Sequence, residues 1–173
     1  MGRNEDILAS DSALEAACEV DRYRSRGPGG QHRNKTESAV RLRHRATGVI
    51  AHGDERRSQS ENRFQAVVRM REHLAFDVRE PVDLATWRAS PRLAALAAGG
   101  TAPLGEKTRK KPEFLVAFAE LLDLFVATGC EVGATAQHLG LTTGAMSKLL
   151  LVDDRTSRAV NQLRSARGMR TLR

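Results

Sequence analysis

The chain has 173 residues, 40% of them hydrophobic, enough for one full domain or two small ones with an apolar core and too few for a large multidomain machine. Lysine and arginine number 28 against 21 for aspartate and glutamate, a net charge of +7 with a pI near 10.2, so a polyanion is the first partner implied. Of the cations 23 are Arg and 5 are Lys; the guanidinium fork grips phosphate bidentately and stacks on bases, which places RNA or DNA ahead of a membrane surface.

Two cysteines, Cys18 and Cys130, stand far apart with no second thiol or CxxH spacing near either, so neither a disulfide framework nor a zinc site is suggested, and no cofactor or metal is expected. The longest apolar runs are too short for a secretory signal or a membrane span, and a cytoplasmic location follows as the expectation. Charge is laid out unevenly: residues 1–21 carry −5, residues 22–73 carry +8 and residues 74–173 carry +4.

The acidic start leads into the first predicted strand, the apolar and polar alternation of Ala17 to Arg24, which runs into the breaker cluster Ser25-Arg26-Gly27-Pro28-Gly29-Gly30. Ser38 to His44 alternates again, placing Val40 and Leu42 on one side and Arg41, Arg43 and Arg45 on the other. Thr47-Gly48 reads as a hairpin turn before a third strand over Val49 to Ala51. Ser58 with Glu61 three residues on is a capping-box pattern, and the helix it starts carries Phe64, Val67, Val68, Arg71 and Leu74 along one side as far as about Phe76. Residues 77–112 hold four of the five prolines and a Gly99-Gly100 pair and read as a linker with one short helix around Arg92 to Ala98. From Phe114 the helical period returns through Leu115, Phe118, Leu122 and Phe125, and further helices are predicted over Val132 to Leu139, Thr143 to Leu150 and Asp154 to about Arg167. The fold class is α+β: a small antiparallel sheet with the Gly-rich loop, packed on one long helix, then an all-helical region.

Gly29-Gly30-Gln31 sits at the tip of the basic loop, and paired glycines alone signal only a tight turn. Around it stand Arg26-Gly27-Pro28 before and His32-Arg33-Asn34-Lys35 after, then Ser38-Ala39-Val40-Arg41-Leu42, Thr47-Gly48, Glu55-Arg56-Arg57-Ser58-Gln59 and Asn62-Arg63. This ordered series closely resembles the catalytic domain of class I peptide chain release factors, especially the short codon-independent relatives that rescue stalled ribosomes by hydrolysing peptidyl-tRNA. The resemblance covers about residues 17–76.

It implies codon-independent hydrolysis of the peptidyl-tRNA ester in the peptidyl transferase centre, with Gly29, Gly30 and Gln31 as catalytic positions and Gln31 as a candidate for methylation by a glutamine methyltransferase. Large-subunit rRNA and peptidyl-tRNA would be the partners. Arg24, Arg26, Arg33 and Lys35 flank the tip and would meet RNA phosphates. Asn34 lies in the same run, and His32 reads as a phosphate or backbone contact or, alternatively, as a base. Arg41 and Arg43 either join the RNA contact or are merely solvated. Arg57, Gln59 and Arg63 read as rRNA contacts or as anchors of the helix and sheet.

Only 28 residues precede Gly29 and none resembles a stop-codon reader, so termination at a defined codon is not expected. The domain reading is a catalytic domain over 1–76, a linker over 77–112 and a basic helical module over 113–173. Within that module, Ala136, Gly140, Met146 and Leu149 match helix-turn-helix spacing or plain helical packing, and the arginine-rich end beyond Asp154 is a candidate for the mRNA channel. Two other functions stand beside the first: a non-catalytic ribosome-associated RNA binder, and a DNA-binding regulator using the C-terminal helices.

Overall fold

The computed structural model describes residues 2–24, 37–99 and 110–173. The chain forms two compact units, Met1–Ala75 and Phe76–Arg173.

The first unit opens with two six-residue helices, α1 (Arg3–Leu8) and α2 (Asp11–Ala16), in the acidic segment where no element is predicted. Ser10 caps α2 by accepting a hydrogen bond from the Ala13 amide at 3.2 Å. Three strands follow, β1 (Cys18–Tyr23), β2 (Ala39–His44) and β3 (Ile50–Gly53), in an antiparallel sheet of order β1-β2-β3. Cys18 stands opposite His44, Tyr23 opposite Ala39 and Arg43 opposite Ile50. The period of two is realised as expected in β2, where Val40, Leu42 and His44 are buried while Arg41 and Arg43 are exposed. Gly48 takes a φ of +72° in the tight turn between β2 and β3, the left-handed conformation that a glycine adopts without a Cβ penalty.

Helix α3 (Gln59–Asp77) has Ser58 ahead of it, whose hydroxyl accepts from the Glu61 amide at 3.4 Å. Its buried positions are Asn62, Ala66, Val67, Met70, Arg71, Leu74 and Ala75. Phe64, expected on the core side, is instead 54% exposed; the packed face runs through Asn62 and Ala66, and Phe64 stands off it. Arg71 ties α3 to the start of the chain, donating to the Ile7 and Ala9 carbonyls at 3.1 and 2.7 Å and to Asp11 at 2.6 Å.

Gly53 fixes how closely β3 approaches α3, since a Cβ there would lie 1.9 Å from the Asn62 carbonyl oxygen and 3.1 Å from the Ala66 nitrogen. Both are backbone atoms, so no rotamer change relieves the clash. Gly53→Ala is expected to cost about 1–3 kcal/mol, the range of an overpacked core, read as a lowered denaturation midpoint with unchanged slope.

Cys18 is buried beside β2, donates to the Leu14 carbonyl at 3.3 Å, and burial pushes its thiol pKa up to about 11. The unfolded thiol ionises near 9, so the contribution is complete below pH 9 and is lost as pH rises through 11. Wild type is therefore expected to lose stability relative to Cys18→Ala between pH 9 and 11 in paired thermal melts.

Among the described residues of the second unit the regular elements that follow α3 are helices: α4 (Pro91–Ala98), α5 (Pro112–Ala127), α6 (Val132–His138), α7 (Thr143–Leu150) and α8 (Asp154–Ser165). Ser90, Thr142 and Asp153 cap α4, α7 and α8 with side-chain oxygens that accept first-turn amides. Its core gathers Leu93 of α4, Phe114, Phe118, Leu121, Leu122 and Phe125 of α5, Val132 and Ala136 of α6, Met146, Leu149 and Leu150 of α7, and Val160 of α8. Phe118 packs its ring 5.7 Å from those of Phe76 and Phe114. Residues 79–80, within the stretch read as linker, are held to α5: Asp123 is 4% exposed and accepts from the Arg79 guanidinium at 3.2 Å and the Glu80 amide at 3.1 Å.

Candidate functional site

The chain positions Arg26, Gly29, Gly30, Gln31, His32, Arg33, Asn34 and Lys35 fall in residues 25–36, outside the described residues. What the structure gives is the frame from which that segment runs. On one side Arg24 follows the last residue of β1; on the other, Glu37 and Ser38 lead into β2. The two ends are linked by the Arg24 guanidinium and the Glu37 carboxylate at 3.5 Å, one step beyond the Tyr23 and Ala39 pair that closes the ladder.

The first turn of α3 holds the second end. Gln59 donates from its side-chain amide to the Glu37 carbonyl at 3.3 Å. Asn62, fully buried, donates to the Ser38 carbonyl and to the Arg56 carbonyl at 2.8 Å each, and accepts from the Arg56 amide at 2.9 Å. One side chain thus joins three stretches of chain, the approach to β2, the loop after β3 and α3 itself.

The basic segment is not an open positive face. Arg41 bonds Asp21 directly across the β1–β2 pair at 2.6 Å, and Arg43 lies 3.8 Å from Glu19 in the next like-facing row. Arg63 grips Glu15 of α2 with both ends of its fork, which raises its pKa through the hydrogen bond and charge of Glu15. Arg71 takes Asp11, and His44 Nε2 meets Asp6 at 3.3 Å with both side chains buried. The acids of residues 1–21 therefore neutralise cations of residues 41–71, a pairing that the charge totals of the two segments conceal. Of the described candidate RNA contacts, Arg24, Arg41, Arg43 and Arg63 each face a carboxylate, Gln59 faces a carbonyl, and Arg57 is exposed in the loop before α3. Exposed pairs of this kind are worth at most about 1 kcal/mol and are screened by salt, so RNA phosphate can displace the carboxylates.

Sequence reading did not find Tyr23 and His52 as partners. The Tyr23 hydroxyl and His52 Nδ1 are 3.0 Å apart with the rings edge to face, in a shallow cleft of about 380 Å³ that Asp21, Arg22 and Arg41 also line. Burial and the charge of Asp54 raise the Tyr23 pKa. In the second unit α6 and α7 are joined by a turn containing Gly140 at a φ of +64°, and Ala136, Met146 and Leu149 are all buried. The arginines that follow are partly spent internally: Arg155 lies 4.7 Å over the Phe76 ring, and Arg164 donates to the Cys130 and Arg170 carbonyls at 2.6 and 2.7 Å. Among the described residues no cluster of three or more His, Cys, Asp or Glu could hold a metal ion, and no helix is long and apolar enough to cross a membrane.

The family described as RF-1 domain matches residues 12–93, a little under half of the chain. The match embraces the sheet, the whole of α3 and the Gly29-Gly30-Gln31 series. Among curated proteins, peptide chain release factor 1 of Xylella fastidiosa (strain 9a5c) is 45% identical over 69 residues, covering 40% of this chain and 19% of that protein. Peptide chain release factor 1 of Acidiphilium cryptum (strain JF-5) is 41% identical over 85 residues, 49% of this chain and 24% of its own length. The chain thus spans about a quarter or less of the relatives it matches, and it is release-factor-like and related to translation proteins.

These findings correct the expected kinship. The relatives are release factor 1, a codon-dependent factor, so the likeness is not to the short codon-independent rescue hydrolases, and the codon-independent function inferred from it is withdrawn.

Proposed function

We propose that this chain promotes release of a nascent peptide by hydrolysis of the ester that joins it to tRNA on the ribosome, with Gly29, Gly30 and Gln31 as the catalytic segment. The supporting observation is the RF-1 domain match, whose bounds of residues 12–93 include that tripeptide and the frame around it. Water would attack the ester carbonyl, the new C–O bond forming as the bond to the tRNA ribose oxygen breaks and that oxygen takes up the proton. Two successive glycines without Cβ let the backbone approach the terminal adenosine. The Gln31 amide N–H can donate to the developing oxyanion, while its side chain, which does not titrate, orients water rather than removing a proton. Release of labelled peptide from ribosomal complexes by wild type and by Gln31→Ala tests the reading.

The remaining site residues are part of the same proposal. Arg24, Arg26, Arg33 and Lys35 would meet rRNA or tRNA phosphates beside the tripeptide, with His32 and Asn34 as polar contacts and Arg57 and Arg63 at the start of α3. Gln31 is the position proposed for methylation, which an intact-mass determination on natively expressed protein would read as one added methyl group. If Arg41 and Arg43 exchange Asp21 and Glu19 for phosphates on binding, the Glu19→Gln and Asp21→Gln double variant is expected to bind ribosomes more tightly. Removing both charged variants Arg41→Gln and Arg43→Gln together should reduce the slope of log affinity against log salt by about 1.4 to 1.8, as two phosphate contacts require.

A further inference from the structure

Three polar contacts converge on the chain immediately after residues 25–36, and they come from the start of α3 and from Arg24. Asn62 is the unusual member: an amide with no exposed surface at the start of the buried face of α3 that continues through Ala66, Val67 and Met70. A buried amide at such a place costs stability unless its groups are bonded, and an aliphatic side chain of similar volume would pack there at no such cost. Its amide nitrogen uses both hydrogens, one on Ser38 and one on Arg56, while its oxygen takes the Arg56 amide. The bond to Arg56 closes the loop before α3, a purely local service. The bond to Ser38 reaches 24 residues back along the chain to the approach to β2. Gln59, one turn earlier on α3, repeats it at the neighbouring carbonyl of Glu37.

We infer that Asn62, aided by Gln59, is a positioning residue for the catalytic segment: it fixes Glu37 and Ser38 on α3 and so sets the direction and height at which the chain bearing Gln31 leaves the sheet. The inference rests on the hydrolase reading above and deepens it. In geometry-limited catalysis a displacement of about 1 Å is sufficient to cost on the order of 100-fold in rate, whereas affinity for the ribosome is spread over many phosphate contacts. Loss of the anchor therefore lowers the rate at saturating protein and leaves the dissociation constant in place.

The test is single-turnover release of labelled peptide from ribosomal complexes by the full chain, with protein concentration varied to separate saturating rate from affinity. Asn62→Ala and Gln59→Glu are compared with Leu74→Ala, which removes a fully buried side chain from the same helix about three turns beyond Asn62, and folded fraction is measured at the assay temperature. Gln59→Glu keeps the shape of the side chain, removes the donor and does not burden the core, so it reports even if Asn62→Ala fails to fold. The expected result is a fall of 10-fold or more, on the order set by misplacement, in saturating rate per folded molecule for both anchor variants, with affinity unchanged and Leu74→Ala releasing normally once corrected for folding. Saturating rates equal to wild type, a weaker affinity at unchanged rate, or losses that merely track stability in all three variants would overturn it. Wild type that releases no peptide, or Gln31→Ala that releases as wild type does, removes the hydrolase reading and the inference with it. Full activity in the anchor variants beside an inactive Gln31→Ala removes the inference alone.

Discussion

Gln31→Ala is expected to lower the rate of peptide release by about 100-fold, the cost of misplacing a reacting group by about 1 Å, and Gly30→Ala by about 1000-fold, the upper end of the range for an oxyanion site that loses one preorganised donor. The order of the two matters more than their size. Alanine at 31 keeps the backbone N–H and loses only the side chain that orients water, so residual release above the spontaneous rate remains. A methyl group at 30 stands where the backbone must approach the terminal adenosine and disturbs the donor as well as the water. Both are changes of small volume, so thermal stability and ribosome affinity should stay within error of wild type. A Gln31→Ala protein with wild-type turnover would show that the tripeptide is a turn and nothing more.

The second large effect concerns stability in the helical unit. Phe118 is fully buried on α5 between Phe114 and Phe76, within a core that also takes Leu122 and Leu149. Phe118→Ala removes a large side chain from the centre of that cluster and is expected to cost about 3–5 kcal/mol, transfer and cavity terms together. Measured by denaturant unfolding, the loss should appear as a lower midpoint. Leu115→Ala on the same helix, outside the main cluster, is the natural comparison.

The elements with a strong period were legible. The alternation in β2, the Ser58 start of α3, and the helices from Phe114 onward follow from residues a few places apart, and the structure places each within a residue or two of its expected bounds. What could not be read locally was settled by distant partners. Helices α1 and α2 have six residues each and only Ile7 and Leu14 as fully buried apolar anchors, too little for a periodic signal. Their purpose is visible only when Asp11 meets Arg71, Glu15 meets Arg63 and Asp6 meets His44. The same holds for the basic face: Arg41 and Arg43 do point to one side, yet the register of β1 brings Asp21 and Glu19 opposite them. Asn62 was legible as part of a motif that contacts rRNA or anchors the sheet, but the carbonyls it holds were not, because Ser38 and Arg56 are brought to it only by the fold.

The Gly29-Gly30-Gln31 series was legible as a motif, its catalytic role is a proposal, and the codon-independent branch assigned to it is contradicted by the relatives. The relatives, 45% and 41% identical over 69 and 85 residues, are codon-dependent factors.

The most direct test of the central claim is single-turnover release of labelled peptide from purified ribosomal complexes, with the A site offering each stop codon in turn, a sense codon or no codon, and binding measured on the same complexes. The account predicts release that depends on Gln31 on at least one of these complexes. Binding to all of them with the peptide retained on tRNA throughout would contradict it.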